Sequence, residues 1–451
     1  MNATETLKRY NDEVAKLGYS LARNRLSLLF DNGEFTEVDR FVKNNGAECE
    51  VVTAYGQING MLVYAYAQSI DVSGGAVGRV QAAKIAHIYD LATKTGAPVV
   101  AVFDSNGAHV DEGIEALEAY GSLIKTAGNV SGVVPQIAVV SGACVGSAAV
   151  LAMLSDFVVI TKSAELYISA ESTKASDFAS LAAQNGTASI VVNDDSAAME
   201  KVAELLSYLP SNNLSEPICA EYAPASGEDA LGSTIDADSF LEVYADFGKC
   251  IKVGFARVGG VSVGVVANNA EYDYFCEDGA KKAAKFIRVC DAFSIPVITF
   301  VHSKGIKACD ENTGADVKSV ALLTSAYSEA TTAKITVVTG NAIAGAYIAF
   351  VSSAAAPDMV YALPGSVIGV LEPMTAVQLL YKERLAAGED RKELEEEFIK
   401  EKCSPFCAAA LGLVNDVIDA SDISAKIALA LDVLASKRVS TLSKKHTNIP
   451  L

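Results

Sequence analysis

Side chains of the usual catalytic kinds are scarce in this sequence. There are four histidines in 451 residues, and none sits in a nucleophile–base triad signature. No phosphate-cradling glycine loop and no metal-ligand spacing is present, so no metal is expected. What could do chemistry is backbone. The stretch Ile137 to Asp156 reads IAVVSGACVGSAAVLAMLSD. Its first four residues are apolar, as in a fully buried strand. Ser141 and Gly142 break that run, and Gly146, Ser147, Ala148 and Ala149 then begin a helix of small side chains. A helix start carries N–H groups without partners and the positive end of the peptide dipoles. Small residues let another molecule approach those amides. Such a turn can hold an oxyanion with backbone donors alone.

The rest of the chain must position this turn. By length, Ile137–Leu154 could also span a membrane, but its Gly, Ser and Cys content and its flanking Pro135 and Asp156 favour a buried strand–helix joint. The chain is long enough for two or three domains, and 51% of it is apolar. Its net charge of −19 argues against binding nucleic acid or an anionic membrane. The opening MNATETLKRYNDEV has no apolar signal core, and nine cysteines are scattered without zinc-site pairing. A cytoplasmic, reduced protein without membrane insertion is expected.

The chain contains an internal repeat. VVTAYGQINGM, the first strand of a hairpin over Val51–Gln68, has a counterpart in IKVGFARVGGV, with Gly60 over Gly260. AAKIAHIYD at Ala82 matches AAKFIRVCD at Ala283. APVVAVFDSNG matches IPVITFVHSKG, with Pro98 over Pro296, a separation of 198 residues. The same separation of 198 sets IAVVSGACVGSAAV over ITVVTGNAIAGAYI, so Gly146 falls on Ala344 and Ser147 on Gly345. Alternating strands and helices predict an α/β fold with a largely parallel, helix-covered sheet in each copy. The polar, turn-rich stretch Leu205–Phe240 joins the copies, and the domains are expected at 1–235 and 236–451. Each copy should present one amide-lined helix start.

Six pieces, RNRLSLLFDNGEF, SGGAVGRVQAAKIAHIYDLATKTGAPVV, LLSYLPSNN, KKAAKFIRVCDAF, KITVVTGNAIAGAYIAFVSS and KKHTNIPL, occur in the order of a known family. The chain resembles the carboxyltransferase (beta) subunits of biotin-dependent acyl-CoA carboxylases and decarboxylases, of the propionyl-CoA carboxylase and methylmalonyl-CoA decarboxylase type. The resemblance runs from Leu21 to Leu451. It implies two tandem crotonase-like domains, the first for the acyl-CoA and the second for biotin. It also implies transfer of a carboxyl group between carrier-bound biotin and the carbon beside an acyl-CoA thioester. Carried over, Gly146 and Ser147 would hold the enolate oxygen of the thioester, and Gly345 and Ala346 the urea oxygen of biotin. Gly75, Ala76, Gly107, Ala108, Tyr347 and Ile348 would line the substrate site, and Gly305 the biotin side. The implied partners are a biotin carboxyl carrier protein, a biotin carboxylase or membrane decarboxylase subunits, and further copies of this chain in a hexamer built as a trimer of dimers.

Departures from the family pattern fall on the same loops. The family commonly reads Ser-Gly-Gly-Ala-Arg where this chain has Ser105, Asn106, Gly107, Ala108 and His109. It reads Gly-Gly-Ala where this chain has Gly146, Ser147 and Ala148, and Gly-Gly-Ala-Tyr at Ala344–Tyr347. Its Asp-x-Pro-Gly-Phe loop is here His302, Ser303, Lys304, Gly305 and Ile306. Arg23, Arg25, Arg79 and Lys84 are candidate partners for CoA phosphates, since an acidic protein must gather cations locally. His109 and His302 could donate a hydrogen bond or a proton. Two other readings stay open: a biotin-independent crotonase-type hydratase or isomerase, which would need a carboxylate near Ser147, and a non-catalytic scaffold subunit.

Overall fold

The computed structural model describes residues 3–169, 177–307 and 314–450. They form two compact units, Met1–Ser215 and Glu216–Leu451, each built on one sheet.

In the first unit the strands of the main sheet are β1 (Phe35–Val38), β2 (Val51–Ile58), β3 (Met61–Gln68), β4 (Val99–Ser105), β5 (Gln136–Val145), β6 (Phe157–Thr161), β7 (Glu165–Tyr167) and β8 (Ile190–Val192). Their order across the sheet is β1-β2-β3-β4-β5-β6-β8, with β7 paired to the far end of β5. The β2–β3 hairpin forms because Asn59 and Gly60 both take positive φ, 52° and 75°, as a tight two-residue turn requires. The Asp31 carboxylate accepts both turn amides at 3.0 Å. From β3 onward the pairing is parallel. Parallel strands are covered on both faces and so read as unbroken apolar runs; every residue of β4 is buried. The crossovers are α1 (Arg79–Thr95) and α2 (Ile114–Val130). Ile85, Ile88, Tyr89 and Ala92 of α1 meet Leu123 and Ala127 of α2 in one core over the sheet. The short helix α3 (Ser147–Met153) follows β5 directly.

The second unit repeats this plan with β9 (Leu241–Val243), β10 (Ile251–Val258), β11 (Val261–Asn268), β12 (Val297–Ser303), β13 (Lys334–Ile343), β14 (Met359–Ala362), β15 (Val367–Gly369) and β16 (Asp416–Val417). Its order is β9-β10-β11-β12-β13-β14-β16, with β15 on β13. The helices α4 (Glu277–Ala292), α5 (Ala315–Glu329) and α6 (Gly345–Phe350) stand where α1, α2 and α3 stand in the first. Here Gly259 and Gly260 make the hairpin turn, and Asp236 accepts their amides at 2.9 and 2.8 Å. Residues 216–235 join this unit. The Ala220 N–H donates to the Gly260 carbonyl at 2.8 Å, and Cys219 bridges to Val261.

The stretch Ile137–Leu154 is therefore a central strand and the helix after it. Among the described residues no helix is long and apolar enough to cross a membrane.

Candidate active site

Both strand–helix turns are held in the same way. At the end of β5, Gly146 has φ 63° and ψ −123°, and its N–H donates to the Tyr167 carbonyl of β7 at 3.0 Å. At the end of β13, Ala344 has φ 49° and ψ −118°, and its N–H donates to the Gly369 carbonyl of β15 at 2.9 Å. This corrects the sequence expectation for Gly146. Its amide is consumed by the sheet, and its role is the turn itself. The open amides come one residue later. Ser147 and Gly345 are the first residues of α3 and α6, with no side-chain cap at either helix. First-turn N–H groups have no partner inside a helix, so Ser147 and Ala148 correspond to Gly345 and Ala346. Ser147 and Gly345 are partly exposed, whereas Ala148 and Ala346 are buried.

A second amide comes from the loop after β4 or β12. Gly107 has φ 103° and is buried, and a Cβ there would lie 3.3 Å from the Val145 carbonyl. That close approach needs glycine and sets the loop against the turn. Gly107 spends its N–H on the Ser105 hydroxyl at 3.1 Å. Its neighbours are equally committed. The His109 N–H donates to the Val77 carbonyl, and the Val77 N–H donates to the Gly107 carbonyl. Among the described residues the Ala108 N–H has no acceptor. The mirror loop matches point for point: Gly305 has φ 130°, its N–H goes to Ser303 Oγ at 3.3 Å, and the Ile306 N–H is left over. Ile306 Cγ2 is 3.9 Å from where a Cβ on Gly345 would be. The donor pairs are thus Ala108 with Ser147 and Ile306 with Gly345. Ile306 was not among the residues expected from sequence; its signal was its place 198 residues after Ala108. Gly107 and Gly305 shape the loops without supplying a free amide.

Gly75 and Ala76 also take a different place from that expected. Both are buried, and Gly75 lies so close to the Asp104 carbonyl that no Cβ fits. Their amides donate to Val72 and Ser73 carbonyls. They back the loop after β4. Tyr347 is partly buried and Ile348 is 49% exposed on α6.

Three of the four candidate phosphate cations are committed elsewhere. Arg23 pairs with Glu37 at 2.9 Å and with Glu48 at 2.5 Å. Arg25 is buried and bridges Asp104 at 2.6 Å and Asp195 at 2.9 Å. Burial disfavours its charge, but the hydrogen bonds it donates to both carboxylates outweigh that and hold its pKa above the ordinary value. Lys84 is buried with its ammonium on the Val51 carbonyl at 2.8 Å, and burial lowers its pKa. Only Arg79 has an exposed side chain, beside Glu115.

Behind the turns the units differ. Asp104, fixed by Arg25, packs against Gly142 and accepts the Ala143 N–H at 3.2 Å. In the second unit His302 fills this place against Gly340. His109 is tied to Glu50 at 3.1 Å. Cys144 is fully buried, and burial pushes its thiol pKa up. Among the described residues no cluster of metal-ligating side chains occurs. What the site offers is two neutral N–H donors per unit, preset where negative charge on an oxygen can be received.

A family model described as carboxyl transferase domain matches residues 13–449. The methylmalonyl-CoA decarboxylase subunit alpha of Veillonella parvula is 35% identical, over 98% of this chain and 95% of that protein. The mitochondrial propionyl-CoA carboxylase beta chain of Sus scrofa is 35% identical, over 98% of this chain and 90% of its own. The transcarboxylase 12S structure, a hexamer solved with methylmalonyl-coenzyme A and methylmalonic acid bound, overlays with a TM-score of 0.89 at 33% identity, covering 98% of this chain and 95% of that one. The two halves are tandem crotonase-like domains. With the match running through both of them, the chain belongs to the carboxyl transferase domain family.

Proposed function

We propose that this chain is the carboxyltransferase subunit of a biotin-dependent acyl-CoA carboxylase or decarboxylase, acting on propionyl-CoA- or methylmalonyl-CoA-sized substrates. The observation that carries the reading is the pair of mirrored donor sets, Ala108 with Ser147 and Ile306 with Gly345. Removing or adding a carboxyl group beside a thioester places negative charge on the thioester oxygen, as an enolate. The Ala108 and Ser147 amides would receive that charge. Each such donor typically lowers the barrier by about 3 kcal/mol.

The second set fits a neutral urea oxygen. Its donors are uncharged, Gly345 adds no side chain, and Ile306 supplies an apolar wall beside it. Biotin, carried on a separate protein, would supply or accept the carboxyl group at a ring nitrogen. Ile306, Gly345 and Ala346 would hold its urea oxygen, with Tyr347 and Ile348 on the same helix for the acyl chain. A hydratase or isomerase would need a free carboxylate at the first turn, and Asp104, which packs there, is neutralised by Arg25.

In this reading the subunit works in the cytoplasm with a biotin carboxyl carrier protein and with either a biotin carboxylase or membrane decarboxylase subunits. It assembles as a hexamer in which the first unit of one subunit serves the second unit of another. The hexameric assembly of transcarboxylase 12S supports the hexamer.

The test is transfer of labelled carboxyl from methylmalonyl-CoA to free biotin by the purified protein. Labelled biotin is expected. No transfer from any short acyl-CoA, under conditions where a related enzyme works, overturns the reading. A stable monomer by sedimentation overturns the intersubunit site.

A further inference from the structure

The Gly107 carbonyl and the Ala108 N–H are two ends of one peptide group. No peptide bond among the described residues is cis, so the two ends point in opposite directions. The carbonyl end is held from behind. It accepts the Val77 N–H at 2.9 Å, the Tyr120 hydroxyl at 3.3 Å and the Ser105 hydroxyl at 3.5 Å. The same Ser105 oxygen accepts the Gly107 N–H at 3.1 Å, which fixes the preceding peptide as well. Ser105 is 0% and Tyr120 1% exposed, so water does not compete for these bonds.

The second unit has the serine part of this arrangement. The Gly305 carbonyl accepts the Phe275 N–H at 3.1 Å and the Ser303 hydroxyl at 3.0 Å, and Ser303 accepts the Gly305 N–H in return.

We propose that Ser105 and Tyr120 in the first unit, and Ser303 in the second, are positioning residues that lock the 107–108 and 305–306 peptides with their N–H ends toward the helix-start amides. Two physical effects follow from the lock. A peptide free to rotate would turn its carbonyl toward the developing oxyanion and repel it, whereas the locked one presents a donor. Hydrogen bonds onto a carbonyl also polarise its peptide and strengthen the N–H as a donor. Burial raises the Tyr120 pKa, with hydrogen bonds from Ser105 and Gln68 working the other way, so the hydroxyl keeps its proton at neutral pH. Tyr120 stands on the side proposed for the thioester enolate.

The catalytic meaning of the lock rests on the carboxyltransferase reading; the lock as a structural device does not. The experiment therefore has two arms on the full-length protein. In the first, label transfer from methylmalonyl-CoA to free biotin is followed for Tyr120→Phe, Ser105→Ala and Ser303→Ala. Each change should lower kcat about five- to twentyfold and leave the KM for methylmalonyl-CoA within about twofold, since the bond matters most once charge develops. Unchanged kcat in Tyr120→Phe and Ser105→Ala, or a rise in KM alone, overturns the positioning role. In the second arm, a crystal structure of the Ser105→Ala/Tyr120→Phe double variant should show the 107–108 peptide rotated or in two orientations. One unchanged orientation overturns the lock. If the wild-type protein transfers no label, the functional reading falls and the second arm alone decides the lock.

Discussion

Gly146 and Ala344 occupy the same place in the two units and share backbone angles that suit only glycine, φ 63° and ψ −123° at one and φ 49° and ψ −118° at the other. In the first unit the residue matches the demand. In the second an alanine is held there by the Gly369 carbonyl bond and by the helix that follows, and a non-glycine residue in such a region costs on the order of 1–3 kcal/mol. One residue later the situation reverses. The family's glycine is replaced by Ser147 in the first unit and kept as Gly345 in the second, but that position is ordinary helix. Any residue adopts it, and a serine amide donates as well as a glycine amide. The departure that is conspicuous in the sequence is conformationally neutral, and the one at Ala344 is where strain is stored. Strain that persists at a turn presenting open amides points to a shape retained for a purpose.

The largest expected effect comes from breaking the unstrained copy. Gly146→Val puts a β-branched residue at positive φ, and carboxyl transfer should fall by about a hundredfold or more as the Ser147 amide is misaimed. Steady-state label transfer checks this, and a rate within threefold of wild type breaks the account of the turn.

Next in size is a pH effect on two buried lysines, Lys84 and Lys282, which stand at the same position counted from the starts of α1 and α4, where the sequence match had set Lys84 over Lys285. Burial holds Lys282 down to about 8, with Glu242, Cys250 and Cys276 partly opposing it. Between about pH 8 and the ordinary lysine value of 10.5 the unfolded chain keeps a proton that the folded protein has released, so stability rises with pH in that window. Relative to Lys282→Met, the wild type should gain up to about 3 kcal/mol from pH 8 to 10.5, read from urea midpoints. A gain of the same sign is expected relative to Lys84→Met, because burial also lowers the Lys84 pKa. A flat profile against both variants would contradict the burial of these lysines.

Relief of strain should be smaller again. Ala344→Gly is expected to raise stability by about 1 kcal/mol after the entropy of the added glycine is subtracted, seen as a higher melting temperature, while Gly146→Ala lowers it by a similar amount. A loss in Ala344→Gly contradicts the strain. Ser147→Gly should be the smallest, with kcat within about twofold of wild type; a tenfold fall would show that the hydroxyl takes part.

Much of this frame is legible in the residues. The repeat, both hairpins and both strand–helix turns follow from local patterns that need no partner: apolar runs, Asn59-Gly60 and Gly259-Gly260 at tight turns, small residues at helix starts. Contacts between distant residues are not legible in this way. That the Gly146 amide is spent on Tyr167 depends on a three-residue strand pairing across the end of β5. Arg23, Arg25 and Lys84 look like surface cations in sequence, and only the fold shows that acidic partners or a strand carbonyl hold them. Gly75 and Ala76 carry no sign in sequence of being buried, and only the fold packs Gly75 against the Asp104 carbonyl. Ser105 and Ser303 were visible as serines two residues before a glycine in mirrored loops, but their double hydrogen bonds require the observed turn.

The central claim is that free backbone amides at the two helix starts carry the chemistry. Proline at a first helical position is compatible with the helix and removes only that N–H, so Ser147→Pro and Gly345→Pro delete one donor from each site. The decisive measurement is carboxyl transfer from methylmalonyl-CoA to free biotin by these two variants, alongside their helix content and melting temperature. Rates reduced about a hundredfold or more in both folded variants are predicted. A folded Ser147→Pro protein that keeps its full rate would contradict the account.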